Sequence, residues 1–419
     1  MDSKKYAHRK SDVTLKVEHK DSGPLVSKPA VHVEVEIEQL RTEFLFGIGG
    51  FNAVDYAGGD KDGAPLTKER SAFLKERLDT AFDLFNYATL PFYLGGYEPI
   101  EGQTNQTRVM AAANYFKDRG IVTKGHPLCW HTSCADWLMQ YSNDEILRKV
   151  VARIERDVAA YKGIIDMWDV INEVVIMPRY DKYDNAITRI CKELGRIGLI
   201  TEVFEAARKA NSKAVLFLND YDTSTNYEIL IDGCLSSGVP IDVIGVQSHQ
   251  HRGYWGLEKT LEVLERFTQF GLPVHFTENT VLSGDPITEP GDIAFYRKQD
   301  GWLSTPEGEE RQARELMEFY ETLYCDPMVE AITNWEISDG GWLGAPAGIL
   351  RADNSKKPVY DALMGKIKGE WMNKKQKTVT DANGKIEFTG FRGDYLLTVN
   401  GVKTKFPLDG KNKEILIKI

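Results

Sequence analysis

Through the middle of this chain, short apolar blocks that finish in a polar side chain alternate with longer stretches of helical periodicity. The blocks are Phe44–Phe51, Tyr87–Phe92, Ile121–His126, Met167–Glu173, Ala214–Asn219, Val243–His249, Pro273–Glu278 and Ala331–Glu336. Continuous apolar runs of this length, rich in β-branched and aromatic residues, read as strands buried on both faces. Between them Lys68–Leu84, Thr107–Asp118, Asp144–Tyr161, Ile187–Ala210, Tyr227–Ser236, Leu257–Phe270 and Glu309–Tyr324 read as helices, with a last one near Lys357–Lys368. The repeat of roughly 40 residues is that of parallel βα units. The class predicted is α/β, a (β/α)8 TIM barrel over residues 44–370.

The two ends follow a different rhythm. Residues 1–43 alternate apolar and polar at Val13–His19 and Val31–Ile37, around the turn signal Asp21-Ser22-Gly23-Pro24. Residues 371–419 alternate likewise, with Asn383-Gly384 and Asn400-Gly401 between the runs. Asn-Gly between alternating segments is a strong hairpin signal. Neither end has enough strands to stand alone, so the two are expected to pair as one small β-module. Residues 1–43 contain no tryptophan and the C-terminal part has only Trp371, at its junction. A structural role is therefore expected for the module rather than carbohydrate binding.

A barrel of this kind carries its site at the C-terminal ends of the strands. The groups found there are His126, Trp130 and His131 after the third block, Asn172 and Glu173 on the fourth, and Asn219 and Asp220 on the fifth. Gln247 and His249 end the sixth, Glu278 the seventh, and Asn334, Trp335 and Glu336 the eighth. Two of these strands run straight into a glutamate, as Trp168-Asp-Val-Ile-Asn-Glu173 and Pro273-Val-His-Phe-Thr-Glu278. Two carboxyl groups facing one another are the minimum for glycosidic cleavage. One protonates the leaving oxygen while the other faces the anomeric carbon, about 5–5.5 Å away in retaining enzymes. The charge of one would keep the other protonated. The alternative makes each glutamate a salt-bridge partner in the barrel mouth.

Composition narrows the field further. A net charge of −10 disfavours nucleic acid and anionic membranes as partners. No run of about 18 apolar residues suggests a membrane span. The five cysteines are scattered and lack CxxC spacing, and His126, His131 and His249 lack the usual ligand spacing, so no metal and no cofactor are expected. Met1–Tyr6 lacks the apolar core of a signal peptide. The chain is expected to be either secreted or periplasmic, with its signal peptide absent from this sequence, or cytoplasmic, and to act as a monomer.

Five segments in order resemble the family 10 glycoside hydrolases, the (β/α)8 endo-β-1,4-xylanases. They are Gly125-His126-Pro-Leu-Cys-Trp130-His131, Trp168–Glu173, Ile241-Asp-Val-Ile-Gly-Val-Gln247-Ser-His249, Phe276-Thr-Glu278 and Trp335-Glu-Ile-Ser-Asp339-Gly340. Lys357-Pro-Val-Tyr-Asp-Ala-Leu363 is similar to the family's last helix, and the resemblance spans residues 44–368. It implies Glu173 as general acid/base and Glu278 as nucleophile of a retaining hydrolase. It also implies His126, Trp130, Asn172 and Gln247 around the sugar, His249 beside the nucleophile, and Trp335 and Trp342 as stacking platforms. The substrate implied is xylan or decorated xylan.

Two departures stand out. The family places an aspartate two residues after the nucleophile, where this chain has Thr280. The family also places an Asn and a Lys after the second strand to grip the neighbouring sugar; Leu90–Pro99 has neither, and Phe92, Tyr93 or Tyr97 are candidates to stack in their stead. A long segment, Ser283–Gly308, with the aromatic pair Phe295-Tyr296, is either a surface excursion or a substrate-contacting lid. The competing readings are a retaining glycosidase acting on another β-linked plant polysaccharide, and a non-catalytic carbohydrate-binding protein on the same scaffold.

Overall fold

The computed structural model describes residues 5–20, 28–61, 64–179, 184–286 and 302–419. They fall into two compact units, one of residues 1–45 with 361–419 and one of residues 46–360. Three strands open the chain: β1 (Lys10–His19), β2 (Lys28–Pro29) and β3 (Glu34–Thr42). The turn signal at Asp21–Pro24 lies outside the described residues.

Eight parallel strands then close a barrel. They are β4 (Leu45–Gly49), β5 (Tyr87–Pro91), β6 (Val122–His126), β7 (Met167–Asn172), β8 (Val215–Asp220), β9 (Val243–His249), β10 (Val274–Thr280) and β11 (Val329–Asn334), in ring order β10-β11-β4-β5-β6-β7-β8-β9. This is the (β/α)8 TIM barrel. The strands are buried almost throughout, which explains their unbroken apolar runs. Packing inside is tight enough that Gly125 on β6 lies against the Trp168 ring of β7 with no room for a Cβ.

Helices begin where local chemistry caps them. Lys68–Leu84 starts after Thr67, whose hydroxyl accepts the Arg70 amide at 3.2 Å. Asn143–Ala160 opens with a capping box between Ser142 and Glu145. Pro306–Tyr324 begins three residues earlier than its apolar periodicity suggests, because Thr305 caps it and proline is tolerated in the first turn. The long helix Ala186–Ala210 breaks at Gly195, where φ is 74°. Three strands end two residues from where their apolar runs suggest: β4 stops at Gly49, β10 runs past Glu278 to Thr280, and β11 stops at Asn334, leaving Trp335 and Glu336 in the following loop. Residues 287–301, with Phe295 and Tyr296, lie outside the described residues.

Five strands follow the barrel: β12 (Gln376–Val379), β13 (Lys385–Phe391), β14 (Gly393–Val399), β15 (Val402–Leu408) and β16 (Glu414–Lys418). β1 lies between β13, antiparallel, and β16, parallel, with β2 also pairing with β1; β12-β3-β14-β15 forms a second sheet. Val13, Leu15 and Val17 from β1 share a core with Val35 and Ile37 of β3 and with Leu397 and Phe406. Asn400 and Gly401, at φ 48° and 82°, make the two-residue link of β14 to β15, whose left-handed backbone suits Asn-Gly. The unit takes in residues 361–370, ten residues more than the expected division at 371. Trp371 is fully buried, Tyr6 meets its ring edge-on at 6.2 Å, and the Tyr6 hydroxyl donates to Glu370 at 3.1 Å. The unit's one tryptophan is thus enclosed and offers no sugar platform.

Candidate active site

Glu173 is the first residue beyond β7, and it turns out of the strand with φ +58°, a conformation uncommon for residues other than glycine. The end of β8 clamps this turn on both sides. The Glu173 amide donates to the Asn219 carbonyl at 2.9 Å, and the Val175 amide donates to the Asp220 carboxylate at 3.0 Å. The turned carboxyl receives the Trp130 indole N–H at 2.9 Å and the Gln247 amide at 3.1 Å. Burial above all, then the charges of Glu278 and Asp220, pushes the Glu173 carboxyl up to about 8 against the pull of those two donors. At neutral pH it stands protonated. Burial also pushes Asp220 up to about 7.

Glu278 lies within β10 and goes the other way. Its Oε1 accepts the Asn219 amide at 2.9 Å, its Oε2 is 3.1 Å from His249 Nε2, and His126 Nε2 is 3.7 Å from Oε1. Burial works against its ionisation, but His126, the His249 hydrogen bond and charge, and Lys124 outweigh that and hold it below the usual glutamate range. The two carboxyl groups are therefore driven apart in protonation by environment, the pattern of an acid and a nucleophile.

One hydrogen-bonded chain joins them. Asn172 Oδ1 accepts from Asn219 at 2.8 Å and from Gln247 at 3.1 Å, and Thr277 donates to Asn219 Oδ1 at 2.5 Å. With its oxygen doubly engaged, Asn172 has no hydrogen bond from its amide nitrogen among the described residues. Below lies a buried ion pair: Lys124 Nζ is 2.6 Å from Asp169 Oδ2, which is also 2.6 Å from His126 Nδ1. Burial opposes the charge on Asp169, and Lys124 and His126 keep it ionised.

The profile of Glycosyl hydrolase family 10 matches residues 94–366. The chain belongs to this family. It is 28% identical over 293 residues to an endo-1,4-beta-xylanase/feruloyl esterase of Xylanibacter ruminicola, a match covering 63% of this chain and 39% of that protein. It is also 28% identical over 261 residues to endo-1,4-beta-xylanase B of Thermotoga neapolitana, covering 58% and 68% of the two chains. Among solved structures, xylanase 10B of Thermotoga petrophila with xylobiose superposes at a TM-score of 0.61, with 22% identity over 78% of this chain and 95% of the other. That likeness speaks for the fold.

In this family 10 chain the aromatic residues divide. Trp335 is only 4% exposed, packed edge-on to Phe51 at 5.3 Å, His126 at 5.2 Å and His249 at 6.1 Å. Trp342 lies flat on His249 at 4.6 Å, so one face of its ring is already covered. Of the three candidates after β5, Tyr93 borders the cluster, 5.4 Å from His126 and 5.6 Å from Trp130. Phe92 and Tyr97 do not: they stack on each other at 5.1 Å in the core. His131 is buried with its ring edge-on to Trp130 at 6.2 Å, and burial lowers it to about 4. Thr280 Oγ1 sits 3.2 Å from His249 Nδ1, where an aspartate would carry charge. Among the described residues no three His, Cys, Asp or Glu side chains form a metal cluster.

His126, Trp130, Asn172, Glu173, Gln247, His249, Glu278, Trp335 and Trp342 thus lie in one connected cluster. Sequence reasoning passed over Lys124 and Asp169. Lys124 stands two residues before His126 and so on the same face of β6, which was the available signal.

Proposed function

We propose that this chain is a retaining endo-β-1,4-xylanase. The observation that carries the reading is the opposed protonation of two glutamates in one network: Glu173 held neutral, Glu278 held ionised. The named substrates of its relatives supply the sugar.

In the first step Glu278 attacks the anomeric carbon and the bond to the leaving oxygen breaks. Glu173 gives its proton to that oxygen, and a glycosyl ester on Glu278 remains. In the second step Glu173, now a carboxylate, takes a proton from water, which displaces Glu278 and yields the β-anomer. Asn172 is suited to the sugar 2-hydroxyl through its amide nitrogen, and Asn219 and His249 orient the nucleophile. One chain supplies every group, so no partner subunit is needed.

A second reading, a retaining glycosidase on another β-linked plant polysaccharide, draws support from the strand-two loop, where Tyr93 stands among residues that include neither the Asn nor the Lys. A binding protein would gain nothing from an acid–nucleophile pair. Time-resolved proton NMR of xylohexaose and glucuronoxylan tests the proposal. Early release of β-anomer supports it, and α-anomer, or no cleavage of either, overturns it. In addition Glu173→Ala should spare activated aryl xylosides relative to polymer by a factor of about 10²–10⁴, because a good leaving group needs no proton. Equal loss on both would remove Glu173 from the acid role.

A further inference from the structure

Because β11 stops at Asn334, Trp335 and Glu336 are presented on the loop above the barrel. The Trp335 ring closes on Phe51, His126 and His249. Glu336 packs against Gly341, and a methyl group on Gly341 would run into its carboxyl group. Among the described residues no hydrogen bond or ion pair reaches this carboxyl, and the only charge acting on it is that of Arg77. Its side chain is enclosed, yet part of its surface still reaches solvent. Burial pushes Glu336 up to about 8, so at neutral pH it stands protonated and can both donate and accept.

Position makes this group more than an odd acid. In the ring, β11, which Glu336 follows, lies directly opposite β7, which Glu173 follows. Like Glu278 and Glu173, Glu336 bears on the Tyr93 hydroxyl, and Tyr93 borders His126 and Trp130 of the active-site cluster. This is the side on which the strand-two loop carries neither the Asn nor the Lys. Burying a carboxyl with no partner is unfavourable, and the cost is offset if a ligand supplies the partner.

We propose that Glu336 is a specificity-determining residue, hydrogen-bonding the hydroxyls of the neutral sugar one unit beyond the cleavage point on the non-reducing side. The assignment rests on the xylanase reading above. It makes Glu336 responsible for preferring a glycone of two sugars over a glycone of one.

The test compares kcat/KM on a nitrophenyl β-xylobioside with that on a nitrophenyl β-xyloside. Glu336→Ala should lower the ratio of the two about tenfold, the factor that accompanies loss of one hydrogen bond. Glu336→Gln, which still donates and accepts, should keep the ratio within about threefold of wild type. Gly341→Ala, which displaces Glu336 without removing it, should lower the ratio as Glu336→Ala does. A purely structural role would depress both substrates together and leave the ratio where it was, which overturns the assignment. If the wild type cleaves neither glycoside, the xylanase reading falls and this assignment with it; cleavage with an unmoved ratio removes Glu336 alone.

Discussion

Replacing Trp130 with phenylalanine takes one donor from Glu173 while keeping an aromatic ring in place. The indole N–H, 2.9 Å from Glu173 Oε2, favours the ionised carboxyl over the neutral one. A hydrogen bond to a charged group contributes about 1.5–3 kcal/mol and one to a neutral group about 0.5–1.5, so the bond biases Glu173 towards ionisation by about 1 kcal/mol. At 1.36 kcal/mol per pKa unit, its loss should raise Glu173 by about 0.7. The acid must carry a proton to act, so activity falls as pH rises through its pKa, which stands at about 8 in the wild type. In Trp130→Phe the alkaline limb should therefore move upward, extending activity to higher pH even if the rate at the optimum drops. The assay is kcat/KM against pH on xylohexaose, because an activated aryl glycoside would not need the acid and would hide the limb. A limb that stays in place, or moves to lower pH, would refute this account of how Glu173 is tuned.

Glu173 also leaves a mark on stability. Folding holds it protonated up to about 8, whereas in the unfolded chain it ionises near 4.5, so the folded state loses stability on its account as pH rises between those values. Glu173→Gln should accordingly melt above the wild type at pH 9 and with it at pH 4, as read by differential scanning calorimetry. Lys124→Met leaves the buried Asp169 charge without its ammonium partner and should cost about 3–5 kcal/mol, seen as a lower chemical-unfolding midpoint. Gly125→Ala drives a methyl group into the Trp168 ring and should destabilise by about 1–3 kcal/mol, with a lowered melting temperature.

The barrel could be read from sequence because its strands are buried on both sides, so each is a continuous apolar run bounded by a helical period. Glu173 and Glu278 were visible for the same reason, as carboxyls closing such runs. Other features escaped for physical causes. Lys124 and Asp169 satisfy each other across neighbouring strands, and nothing local announces a partner 45 residues away. The ends of β10 and β11 depend on pairing register rather than on composition. Whether Phe92 or Tyr93 meets the cleft is decided by which of two adjacent residues points inward, and an aromatic pair gives no polarity contrast to show it. The terminal module was legible as alternating strands, and Asn400-Gly401 does join a hairpin, but Asn383-Gly384 links β12 and β13, which pair with β3 and β1 in different sheets, because partners for these strands come from the other end of the chain.

The pairing of β1 has a consequence for the order in which the protein takes shape during synthesis. Lys10 must find Phe391, and Thr14 must find Glu414, so this unit waits until nearly all of the described chain has left the ribosome. At about 5–20 residues per second that delay is some tens of seconds, while every barrel strand emerges in between. Throughout it, Val13, Leu15 and Val17 form a bare apolar edge, interrupted by Asp12, Lys16 and Glu18, charges of the sort that discourage pairing with the wrong chain. The last strands to be made are thus the ones that relieve the first.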